Sequence, residues 1–233
     1  MRLPEVIDEL KRLGDPAIVE GMKRFGGTTE HALGITAPQL RSLAKRIGQD
    51  QELSLKLWTT GIHEARAIAA LIGDPEKVTW RQMGKWVKDF DSWSTCDAAC
   101  VVLFVRSPYA LRAAFQWCRS EKEFVKRAGF VMMAAAAIHL KSLDDREFLP
   151  MLNEIRRGSD DERNFVRKAV NWALRQIGKR NKRLNKLAIA EGERMRRIES
   201  RAARWIASDA LRELRNPQVQ RRLQKWEQKS RTR

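Results

Sequence analysis

Glycine and proline are scarce in this chain, 13 and 7 of 233 residues. No stretch alternates apolar and polar residues at period two for long, and good helix formers dominate. The composition is that of an all-helical protein. Cysteine is as sparse: Cys96, Cys100 and Cys118 are odd in number and lack metal-ligand spacing. They suit a reducing cytosol as small buried hydrophobes, and predict no disulfide framework. His31, His63 and His139 are scattered, so neither a zinc site nor a catalytic triad is suggested, and no Gly-rich phosphate loop is present. Long apolar runs are missing too. The run 101–105 ends at Arg106, and 131–138 is far shorter than a bilayer requires. With no recognisable signal peptide, the expectation is a cytoplasmic protein without a membrane anchor.

What the chain does have is positive charge, unevenly placed. Residues 1–162 hold 24 Lys or Arg against 23 Asp or Glu, whereas residues 163–233 hold 22 against 6. Nearly all of the net +17 therefore lies in the last third. Such a block either forms a solvated, self-repelling face or meets a polyanion, where each phosphate contact releases counterions. Its size favours nucleic acid over a membrane surface.

Residues 3–13 are amphipathic, with Leu3, Val6, Ile7, Leu10 and Leu13 on one face, and residues 26–29 read as a loop. Thr36 and Pro38 mark a helix start, since Thr caps well and the missing proline N–H costs nothing in a first turn. Turns are expected at Asp74-Pro75 and Ser107-Pro108, and polar breaks at 142–145 and 158–161.

Five segments resemble one another: EARAIAAL (64–71), TCDAACVV (95–102), VKRAGFVM (125–132), VRKAVNWA (166–173) and ASDALREL (207–214). Each has a charged residue, then Ala, then a largely apolar turn. The charged positions Arg66, Asp97, Arg127, Lys168 and Asp209 are spaced by 31, 30, 41 and 41 residues. Those intervals fit paired-helix repeats of the HEAT or armadillo sort. The predicted fold is all-α, a right-handed α-α superhelix of such repeats. Residues 1–215 are expected to form one domain and 216–233 a basic extension, either a frayed solvated helix or a DNA-contacting arm. If each segment opens the second helix of a pair, the charged residues recur along one face. They then form either an ion-pair ladder or a binding groove.

Trp93, Asp97 and Trp172 stand out in that arrangement. Trp93 precedes Asp97 by one helical turn, and Trp172 follows Lys168 by one. Most of the eight tryptophans must be packing residues. Two indoles and a carboxylate nevertheless suit a cation, through aromatic faces and a Coulomb attraction that grows as water leaves. Within a phosphate-attracting groove, an acid needs a positive partner. An alkylated base is one, and so is a sugar losing its base toward an oxocarbenium ion.

The segments GITAPQLRSLAKRI (34–47), KDFDSWSTCD (88–97), FVKRAGFVMM (124–133) and NFVRKAVNWALRQIGKRN (164–181) resemble the AlkD-like bacterial DNA alkylation repair proteins. These are glycosylases built from HEAT-like repeats, and the similarity runs from about Met22 to Leu214. The resemblance implies Asp97 as the catalytic carboxylate, with Trp93 and Trp172 against the lesion nucleotide and Arg127 on the DNA backbone. Lys168 and Arg66, at equivalent repeat positions, are further DNA-binding candidates. Phe25 stands where family members carry a DNA-approaching tyrosine, and keeps the ring without the hydroxyl. Ser94 departs from the family's usual acid after the first Trp. The implied activity is excision of cationic N3- and N7-alkylated purines from double-stranded DNA by a monomer associated with the nucleoid. Neither base flipping, metal nor cofactor is implied. Relatives with this fold that bind DNA without excision supply the alternative, a module for damaged or branched DNA.

Overall fold

The computed structural model describes residues 1–24 and 30–231. Among them are fourteen α-helices and no strand. The first seven are α1 (Leu3–Leu13), α2 (Pro16–Arg24), α3 (Ala37–Ile47), α4 (Gln51–Thr59), α5 (His63–Ile72), α6 (Trp80–Trp86) and α7 (Trp93–Ala98). They belong to one compact unit, Met1–Tyr109. The second unit, Ala110–Arg233, contains α8 (Ala110–Trp117), α9 (Glu123–His139), α10 (Phe148–Arg157), α11 (Asn164–Gly178), α12 (Lys182–Arg196), α13 (Arg201–Leu214) and α14 (Pro217–Arg231).

Local chemistry sets many of the boundaries. Helix α1 has the bounds its apolar periodicity predicts, and α3 begins directly after Thr36, whose N–H donates to Gln39 Oε1 at 3.0 Å. Asp50, Thr79, Ser92, Asn181 and Ser200 each accept a bond from the backbone N–H three residues on, satisfying a first-turn donor of α4, α6, α7, α12 and α13.

The five similar segments begin on α5, α7, α9, α11 and α13, each the later helix of a pair. In the first unit α5 packs against α3, α4 and α7; in the second, α9, α11 and α13 pack in series, with α8, α10 and α12 alongside. The repeat interval reappears in the hydrogen bonds. Leu33–Glu64, Gln51–Gln82, Trp58–Asp89 and His63–Ser94 are all bonded pairs 31 residues apart. In the second unit the corresponding ties span 34 to 43, from Arg175–Asp209 to Arg180–Ala137.

One segment is out of register. Arg66 is the fourth residue of its helix and Asp97, Arg127 and Lys168 are the fifth, but Asp209 is the ninth of α13. The fifth residue of α13 is Trp205. Asp209 accepts from Asn171 Nδ2 at 2.7 Å and Arg175 at 2.9 Å, deeper along α11 than Lys168.

Two internal anchors hold the layers. Glu64 is buried on α5 and accepts from the backbone N–H groups of Leu33 and Gly34, both at 2.8 Å, and Ile35 at 3.4 Å. It thereby fixes the chain entering α3. In the second unit α9 is apolar around most of its circumference, as a helix packed on several sides must be. Its Gly129 meets the end of α8: a Cβ built there would lie 2.1 Å from the Cys118 backbone nitrogen.

The basic extension is docked, at least at its beginning. Helix α14 packs on α12 and α13, Leu223 is 2% exposed, and Gln220 Nε2 donates to Asn185 Oδ1 at 3.0 Å. A wholly frayed terminal helix is not what this sequence forms. No helix among the described residues is long and apolar enough to cross a membrane.

Candidate functional site

In the first unit, the N-cap Ser92 is buried, and it starts α7 so that Trp93 is its first residue. Trp93 is 38% exposed, a rare state for so large an apolar side chain here. Asp97 follows one turn later and is half-buried. Directly after it the helix widens into a π-turn over Ala99–Leu103 and then tightens over Phe104–Arg106. Such irregular turns recur at functional sites because they re-aim side chains within a helix. Here Leu103, Phe104 and Val105 are all turned inward.

Ser94 lies between a hydroxyl and an imidazole. Its Oγ is 3.2 Å from Ser92 Oγ and 3.4 Å from His63 Nε2, and His63 Nδ1 lies 3.4 Å from Thr95 Oγ1. A hydroxyl–imidazole cluster thus occupies the position where the resemblance leads one to look for an acid. In the sequence His63 stands isolated. Its only signal was the repeat interval separating it from Ser94.

Arg66 faces inward. It donates to Asp89 O at 3.1 Å and Asp91 Oδ2 at 3.3 Å, and its guanidinium lies 5.3 Å from the centre of the Trp58 ring. Trp58 stacks on Trp86 at 3.8 Å and donates through Nε1 to Asp89 Oδ2 at 2.9 Å. Arg66 therefore clamps the segment that leads into α7, which positions Trp93 more than it offers charge to a ligand.

In the second unit, Arg127 is only 6% exposed and donates to Phe165 O at 2.7 Å, pinning the first turn of α11 to α9. The sequence-based expectation places Arg127 on a DNA backbone; in the structure its guanidinium is packed between α9 and α11. Lys126 beside it pairs with Asp161 at 2.9 Å, and Arg163 bridges from Asp161 to Glu121 O. Burial pushes the Asp161 carboxyl upward, but the hydrogen bonds from Arg163 and Lys126 overcome this and hold it down at about 2. A carboxyl depressed in the folded state stabilises the fold above its unfolded pKa and loses that contribution as pH falls toward the folded value. Asp161→Asn is accordingly expected to lower the urea midpoint at pH 6, with the gap to wild type closing between about pH 4 and 2. A gap independent of pH would remove the charge from this account.

Lys168 is exposed on α11 and makes no ion pair among the described residues. Trp172, one turn on, is half-buried; its Nε1 donates to Gln176 Oε1 at 2.9 Å with that amide turned to present its oxygen. Asp209 on α13 is held by Asn171, Arg175 and Arg212. Burial raises its pKa, the Asn171 and Arg175 bonds overcome the rise, and the net direction is downward. That carboxylate is an inter-helix tie. Trp93, Asp97 and Arg66 thus lie in the first unit, and Arg127, Lys168 and Trp172 in the second. Phe25 lies outside the described residues. No cluster of His, Cys, Asp or Glu suited to a metal occurs among the described residues.

Comparison with known proteins gives three results. A family model for the DNA alkylation repair enzyme matches residues 6–227. No curated protein matches the chain. Among solved structures, one described as "a new family of proteins related to the HEAT-like repeat DNA glycosylases with affinity for branched DNA structures" is 20% identical with a TM-score of 0.74, covering 90% of this chain and 94% of its own. A designed armadillo repeat protein, 17% identical over 75% of this chain and 91% of its own, reaches a TM-score of 0.34. At these identities the first likeness bears on the fold, which is HEAT-like.

Proposed function

The chain belongs to the DNA alkylation repair enzyme family, and from that premise we propose that it is a glycosylase for cationic N3- and N7-alkylated purines in duplex DNA. The observation that carries the reading is the α7 pair, an exposed indole with a half-buried carboxylate one turn behind it, in a chain carrying net +17. A carboxylate beside an exposed indole suits positive charge that develops at that surface.

In the reaction the bond from C1′ to the purine nitrogen breaks, and its electron pair leaves with the base, neutralising the base's positive charge. The sugar becomes oxocarbenium-like. Asp97 stabilises that charge and orients the water whose oxygen joins C1′, while the water's proton passes to Asp97 and then to solvent. Trp93 packs on the deoxyribose beside the lesion, and the family resemblance carries Trp172 and Phe25 as further DNA-contacting rings. Because the leaving group already carries its charge, the chemistry needs neither metal nor cofactor, and the base is cleaved without being flipped into a pocket. Lys168 takes a phosphate, whereas Arg66 and Arg127 position α7 and α11. The protein works as a monomer on chromosomal DNA, with residues 1–215 forming the repeat domain and 216–233 adding a basic helix.

A second reading is structure-selective DNA binding without excision. It is favoured by the Ser94–His63 contact in place of an acid and by the branched-DNA affinity in the description of the solved neighbour. The two part in a single-turnover assay on methylated duplex. Under the first, 3-methyladenine and 7-methylguanine leave faster than in buffer alone; tight binding with release at the buffer rate would leave the second.

A further inference from the structure

Trp205 has no part in the chemistry above, yet like Trp93 it is 38% exposed. It is the fifth residue of α13, the place held by Lys168 on the neighbouring α11 and by Arg127 on α9. We propose that Trp205 is a stacking platform for an unpaired nucleobase, with Lys168, Arg201 and Arg204 on the flanking phosphates.

The ring is already held from one side. The Arg167 guanidinium lies 5.0 Å from its centre, and Arg167 in turn reaches Asn164 Oδ1 at 3.4 Å. A π-face fixed by a cation and still open to solvent accepts a further flat ring without ordering a loose side chain first. The solvent stripe of α13 repeats the same chemistry: Arg201, Arg204, Ser208 and Arg212 are exposed around Trp205 at helical spacing. Lys168 and Arg204 make no ion pair among the described residues.

Three of the nearby carboxylates are turned to other uses. Asp209 and Glu213 face α11, where Arg175 and Lys179 pair with them. Glu162 accepts from Ser200 Oγ and Ala202 N, both at 3.0 Å, at the start of α13. An open aromatic ring among cations fits a ligand that combines a flat π-surface with negative charge at short intervals. Single-stranded nucleic acid has that chemistry, whereas a paired base hides its faces within the duplex stack. An acidic peptide would satisfy the cations and leave the ring unused.

This inference rests on DNA being the ligand and names the class of DNA preferred. Affinity is measured by fluorescence anisotropy over a salt series, on a blunt duplex and on the same duplex carrying a single-stranded arm. Wild type is expected to favour the armed duplex. Trp205→Ala is expected to lose about tenfold on the armed duplex, the weight of one stacked base, and less than about twofold on the blunt one. Its salt slope should not change, because no phosphate contact is lost, and Trp205→Phe should recover most of the binding. Arg204→Ala should instead weaken both and flatten the slope by about 0.9. Equal losses on the two DNAs, or no loss with Trp205→Ala, would overturn the inference while leaving the glycosylase reading intact. Failure of wild type to bind either DNA would remove both.

Discussion

Asp97→Asn is expected to slow the release of 7-methylguanine from duplex DNA by roughly 100- to 1000-fold, the range seen when one preorganised electrostatic contact is removed from an enzyme. The substitution keeps the shape and removes the charge. A carboxylate about 4 Å from a developing cation, at a protein–DNA surface of effective dielectric near 20, is worth about 4 kcal/mol. Each 1.4 kcal/mol of that is a factor of ten in rate. Because DNA is a polyanion, loss of a negative charge should leave affinity unchanged or raise it. Slower release together with undiminished binding therefore separates a catalytic role from damage to the fold. An unchanged rate would remove Asp97 from the mechanism.

Gly129→Ala is expected to destabilise the second unit by about 3 kcal/mol, a lowering of Tm by roughly 10 °C for a chain of this size. The added Cβ would sit 2.1 Å from Cys118 N, 2.5 Å from Cys118 Cα and 2.7 Å from the Trp117 carbonyl carbon. All three are backbone atoms, so no side chain can swing aside, and α8 must move off α9. Helix α9 also carries Arg127, which holds the start of α11, so the displacement should reach the helix that bears Lys168 and Trp172. Gly84→Ala in α6 is the matching control, because nothing lies within 4 Å of its added Cβ. It should be neutral or slightly stabilising through helix propensity. Equal melting of the two variants would contradict the close approach of α8 and α9.

The helices were legible because their signals are local. Residues 3–13 carry an apolar period that one helix alone can bury, and α1 has those bounds. The repeat was legible for a similar reason, since Ala after a charged residue permits close packing; Ala128, Ala169 and Ala210 are buried where α9, α11 and α13 meet. In α13, however, Ala recurs nearly every turn, at 202, 203, 207 and 210. A segment match can slip there by one turn without losing its small residues, which puts Asp209 where Trp205 belongs.

Side-chain direction was much less accessible. Lys126 and Arg127 are adjacent, about 100° apart around α9, and the amino acids alone do not say which turns inward. The answer depends on Phe165 O, 38 residues away. Arg66 and Asp91 are likewise separated by 25 residues and meet only through packing. The π-turn after Asp97 leaves no mark in ACVVL beyond its apolarity. His63 lacked the neighbours in sequence that would have flagged it.

The central claim is that this chain excises purines whose positive charge is neutralised as they leave, assisted by Asp97. The measurement that tests it most directly is single-turnover base release from one duplex carrying, at the same position, either 7-methylguanine or a neutral damaged base. The account predicts release of 7-methylguanine well above the spontaneous rate and none of the neutral base. Equal release of the two, or tight binding with neither released, would contradict it.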